Sequence, residues 1–244
     1  ELLAAAAAAA DGGDEHDGAV CVNAAIEEST LDDRGHGATH ALLAQDAFVR
    51  DNVRDGDVLV LSLGGNDVAL RPRLRTALNL LLLARVPWPA WLVRAGLAPG
   101  FGFFVRFFST RLERLVRAVA TQRRLRAIVV CMIYAPDERS DHSWADGVLG
   151  ALGYNTHPER LQLVLSALFD AISARRYAVN GTPVTLLNFA AVLDGKTTDD
   201  YVSRVEPSAT GGAKMAAAIV DTVRSAVAGR QAGGGGTSTT SRRT

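Results

Sequence analysis

Four short runs of aliphatic and β-branched residues set the strongest limit on the fold: "AVCVN" (19–23), "DVLVLSL" (57–63), "AIVVCMI" (127–133) and "PVTLLN" (183–188). Each is the length of a strand and is almost continuously apolar, which suits a parallel sheet buried on both faces. Between them lie longer segments near 37–53, 71–85, 105–124, 159–178 and 208–229, in which apolar residues recur at spacings of three and four, as in Leu161, Val164, Leu165 and Leu168. That spacing is helical. Alternation of strands and helices predicts an α/β fold, a three-layer αβα sandwich with right-handed crossovers.

A chain of 244 residues can bury one such core. Residues 1–228 are expected to form one domain, with an apolar insertion at about 86–108. The Gly-, Ser- and Thr-rich end, 229–244, is expected to be a disordered tail. The 26 basic and 26 acidic side chains cancel, so composition carries no footprint of a nucleic-acid binder. Cys21 and Cys131 each fall in a strand-like run and are expected to be buried, reduced thiols. The apolar stretch 77–108 is interrupted by Arg85, Arg94, Arg106 and three prolines, so no transmembrane span is expected. The opening "ELLAAAAAAA" lacks a basic leading segment and reads as the end of a helix.

Ligands of open parallel sheets bind beyond the carboxyl ends of the strands. Gly64-Gly65-Asn66-Asp67 stands at such an end, as do Asn23, the loop from Tyr134 and the residues after Asn188. A buried strand needs neither an amide nor a carboxylate at its end for its own stability, which marks Asn66 and Asp67 as candidate site residues.

"LSLGGNDVAL" resembles the third conserved block of the SGNH, or GDSL-type, hydrolases. "VNAAIEESTLDDR" is similar to the second block through Asn23 and Thr30, and Pro207, Ser208, Gly211 and Met215-Ala216 fall where the last block places such residues. The resemblance covers most of 19–225 and implies a mostly parallel, flavodoxin-like sheet, here lacking its first strand. It implies an ester hydrolase without a cofactor or metal, acting on a small-molecule ester or lipid. Asn66 would donate to the oxyanion hole beside Gly65, and Asp67 would brace the turn.

Three departures accompany the likeness. There is no Gly-Asp-Ser turn, so the implied nucleophile lies upstream of Glu1 or is missing altogether. Glu28 stands where the second block has glycine, and a carboxylate there opposes a developing oxyanion. Ser203 and Glu206 stand where the last block has Asp and His. A solvated Glu, with a pKa near about 4.3, is a much weaker base than imidazole at about 6.5.

His16, His36, His40, His142 and His157 are the available replacement bases; His142 and His157 follow the "AIVVCMI" strand and could reach the site, but read first as solvent-exposed loop residues. Asp199 and Asp200 could orient a base from a shifted register, or form a solvated acidic loop. Ser29 and Thr30 read first as turn or capping residues. Asn66, Asp67 and Glu206 have capping alternatives of their own. Trp88 and Trp91, with Phe101, Phe103, Phe104, Phe107 and Phe108, would form an apolar wall over an acyl chain, or a plain helical hairpin on the core. Two functions remain open on sequence: an ester hydrolase, and a catalytically inert or repurposed binding protein with the same fold.

Overall fold

A computed structural model of the protein describes residues 20–34, 41–140 and 142–234, with side chains to residue 229. After a short helix α1 (Ala44–Asn52), the chain enters strand β1 (Val58–Ser62) and a one-turn helix α2 (Gly65–Ala69). A helical region follows: α3 (Leu74–Arg85), α4 (Ala90–Arg94), α5 (Phe101–Arg106), a π-helical turn at Phe107–Arg111 and α6 (Leu112–Ala120). Then come β2 (Ala127–Cys131), α7 (Ala145–Ala151), α8 (Pro158–Ser173), β3 (Ala178–Val179) and β4 (Thr182–Leu187). A small hairpin, β5 (Tyr201–Val202) and β6 (Glu206–Pro207), leads into the last helix, α9 (Ala209–Gly234).

The fold is α/β with a mostly parallel sheet in the order β1-β2-β4-β3. β1 and β4 both run parallel to β2, with Val60 opposite Val129 and Val130 opposite Leu186; β3 pairs antiparallel at the edge. Side chains of successive strand residues point to opposite faces. Leu59, Ile128 and Val130 enter the main core with Leu115, Val116 and Leu168, while Val129 and Cys131 meet Phe189, Met215 and Ile219 on the other side. Both faces of β2 are therefore covered, which is why its five residues are all buried and why the run carries no polar alternation.

The expected strands at 57–63, 127–133 and 183–188 form, each shorter by one to two residues or shifted by one. The expected strand at 19–23 does not: residues 20–23 are irregular, and Val20 is 86% exposed. Among the described residues nothing pairs with the second edge of β1, this run included. Cys21 is exposed as a consequence, contrary to expectation, whereas Cys131 is buried as expected. The final helix continues to Gly234, past the point where a disordered tail was expected to begin; residues 235–244 lie outside the described residues.

Candidate functional site

At the carboxyl end of β1 the chain must turn sharply into α2. Gly64 makes that turn at φ +102°, and a Cβ there would come within 2.5 Å of the Phe108 ring. Only glycine meets both demands. The turn presents Asn66, whose side-chain amide donates to the Ser29 carbonyl at 3.4 Å. Asp67 is fully buried and accepts the backbone N–H groups of Leu31 (2.8 Å) and Asp32 (2.9 Å). Burial holds the Asp67 carboxyl above the ordinary carboxylate range, against the pull of those two bonds. Neither side chain caps α2, which has no side-chain cap. Asp67 thus ties the 31–32 loop to the glycine turn.

These loops open on a cavity of about 320 Å³, whose more exposed lining, its mouth, includes Glu27, Glu28, Ser29, Gly65, Asn66, Tyr134 and Trp144. Its depth is apolar, with Leu80, Met132, Leu149, Leu161 and Leu165 from the helices and the sheet end. The shape suits an apolar ligand carrying one polar end.

Glu28 adopts φ +59°, the left-handed region in which glycine is at ease. The resemblance aligns this position with a glycine, so the backbone conformation is present although the residue type is not. Its carboxylate pairs with Arg71 at 2.6 Å, which offsets the charge that sequence reasoning set against an oxyanion.

Glu206 is not among the residues that line the cavity, but it touches one that is. Its Oε1 accepts the Trp144 indole N–H at 3.4 Å, and the adjacent Val205 lines the cavity. Tyr134 donates to the Val205 carbonyl at 2.5 Å. Burial, and then the Glu206 charge, push that phenol up to about 12, so it remains a donor. Glu206 is not a helix cap. Ser208 has that role, accepting from the Gly211 N–H at 3.2 Å. Gly211 is needed because a Cβ would meet the Asp200 carbonyl oxygen at 2.1 Å. The Pro-Ser-x-x-Gly block thus has a packing explanation of its own.

Ser203 stands outside the cavity lining. It begins the tight turn of the β5–β6 hairpin at φ +50°, and its carbonyl accepts from Val205 N–H and from the Ser143 hydroxyl. Asp199 and Asp200 also stand apart: the Asp199 carbonyl takes the Ser208 hydroxyl, and the Asp200 carboxylate pairs with Lys214 at 2.7 Å. His142 and His157 do not line the cavity, and His157 shares a hydrogen bond with Glu159. His16, His36 and His40 lie outside the described residues.

The aromatic wall is corrected. Trp88 donates to the Leu82 carbonyl at 3.0 Å and packs on the core, Trp91 is 64% exposed, and neither lines the cavity. Phe101, Phe104, Phe107 and Phe108 are core residues. The segment is a helical hairpin packed on the domain because its ring faces are already filled by one another and by α8.

Sequence reasoning missed Trp144 and Arg204. The indole sits in a loop with no periodic signal. Arg204 lies between two candidate positions and is 1% exposed; its guanidinium donates to the Asp137 and Glu138 carbonyls, to Asn155 and to Asp146. It fixes the turn that carries Val205 and Glu206.

Chemically, the mouth offers an amide donor, backbone N–H groups at a glycine turn, an indole and the carboxylates of Glu27 and Glu28, with Glu206 bonded to the indole. It can orient a carbonyl over an apolar pocket. Among the described residues no histidine lines it, and no group of His, Cys, Asp and Glu is placed to hold a metal ion. Comparison of the chain with protein-family models, curated proteins and solved structures finds no match.

Proposed function

We propose that the cavity is the acyl pocket of an SGNH-type ester hydrolase built on a three-layer, flavodoxin-like αβα sandwich. Asn66 is its oxyanion donor, and a serine is its nucleophile. The observation that carries this reading is the Asn66 amide at the mouth of an apolar cavity of about 320 Å³. The left-handed backbone at Glu28 supports it, as does Trp144, which lines the same cavity and bonds to Glu206.

A second reading is a binding protein for an acylated small molecule. It is favoured by the carboxylate that stands in place of an imidazole and already accepts the Trp144 N–H. Turnover of p-nitrophenyl esters of increasing chain length by the full protein separates the two. The hydrolase reading expects turnover that Asn66→Ala lowers by about a hundredfold in kcat. Absence of turnover together with retained binding of a fatty-acid analogue selects the binding protein; absence of both removes the acyl pocket altogether.

A further inference from the structure

Helix α3 is apolar on both sides. Leu80, Leu83, Ala84 and Thr76 face inward and are buried, whereas Leu74 (77% exposed), Leu78 (57%), Leu81 and Leu82 face outward. At 100° per residue the outward leucines fall on one stripe, which Arg85 continues. A helix that is apolar all round is normally interior, yet here half of its apolar surface meets solvent. Trp91 and Leu97, shortly after it in the chain, are exposed as well.

Along the segment that carries this stripe the charge is of one sign. From Val68 to Leu112 there are seven arginines and no Asp or Glu, in a chain whose net charge is zero. Arg71, Arg73 and Arg111 pair with Glu28 and Asp32. Among the described residues, Arg75, Arg85, Arg94 and Arg106 have no carboxylate partner. All four are exposed.

Exposed leucines and a tryptophan on a segment whose own charges are all cationic are the chemistry of a helix lying in a lipid headgroup region. No helix among the described residues is long and apolar enough to cross a membrane, so the contact would be one of surface docking. We infer that the outer face of α3, with Arg75, Arg85 and Arg94, docks on an anionic lipid surface. A nucleic acid would be served by the arginines but not by the leucine stripe. A second copy of the chain would bring the same positive charge against itself. The inference does not depend on the ester-hydrolase reading, although the inner face of α3 contributes Leu80 to the cavity.

The test is co-sedimentation of the full chain with phosphatidylcholine vesicles, with and without phosphatidylglycerol, while Trp emission is followed. Partition onto the anionic vesicles is expected to exceed that onto neutral ones by about tenfold or more, and to fall as salt rises. Arg85→Gln and Arg94→Gln should each weaken it by about fivefold. Leu78→Glu combined with Leu82→Glu should weaken it by about tenfold or more without lowering the melting temperature. Equal partition onto both vesicles, or none onto either, overturns the inference. A drop in melting temperature in the Leu→Glu variant also overturns it, since the stripe would then be covered within the chain. So would dimers that this variant dissociates in the absence of vesicle binding.

Discussion

Arg204 shows how a single side chain can hold a site it never enters. Its own φ of +68° and that of Ser203 place two successive non-glycine residues in the left-handed region, a conformation that costs about 1–2 kcal/mol per residue. The guanidinium offsets this with bonds to two carbonyls, Asn155 and Asp146. Arg204→Met is expected to destabilise the protein by about 2–4 kcal/mol in urea unfolding, because buried acceptors lose a charged donor. Asp146 supplies a pH signature. Its carboxyl is held below the ordinary 3.8 by the Ser140 hydroxyl first and then by Arg204. Between that lowered value and 3.8 the unfolded chain binds more protons than the folded one, so stability rises with pH. The contribution is complete above 3.8 and is lost as pH falls through the native value. Asp67, held above 3.8 by burial, acts in the opposite sense: its ionisation costs stability, and acid relieves that cost. Thermal melts should show Asp146→Asn less stable than the parent near neutrality, with the two curves converging as pH drops below 3.8.

At the scale of elements, the α3 and α6 helices separate burial from hydrophobicity. Leu115 in α6 is fully buried and Leu78 in α3 is mostly exposed. Leu115→Ala should cost about 2–5 kcal/mol through the cavity it leaves, while Leu78→Ala should stay within about 0.5 kcal/mol; chemical denaturation of the two variants measures the contrast. The sequence showed β2 plainly because both of its faces are buried and its apolar run is unbroken; β1 and β4 carry similar runs although they are only partly buried. It showed α8 through its three-and-four spacing. It did not show α2, α4 or α7, which run five to seven residues and are too short for a period to emerge. The run at 19–23 has strand composition and forms no strand, because composition cannot supply a pairing partner. In the site, Asn66, Asp67 and Glu206 were legible from their place at element ends, whereas Trp144 and Arg204 depend on contacts between segments about 60 residues apart.

For the molecule as a whole, the sheet is protected unevenly. β2 lies between β1 and β4, while β1 is bonded along one side among the described residues. Alternate amides of a parallel strand point to opposite neighbours. Hydrogen exchange should therefore find every β2 amide protected to the level of global unfolding, with alternate β1 amides exchanging much faster. Uniform protection along β1 would show that another segment covers that edge.

The two cysteines turn the irregular stretch before the site into an experimental address. Cys131 is buried in β2 at 2% exposure, and burial pushes its thiol up to about 12, so it resists alkylation under native conditions. Cys21 stands in solvent, five positions before Ile26 at the cavity wall. A maleimide dye added to the folded protein should attach once, at Cys21, with mass spectrometry finding Cys131 unmodified until denaturant is added. The molecule thus carries a natural attachment point from which a fluorophore can report what enters the opening, with no engineered residue.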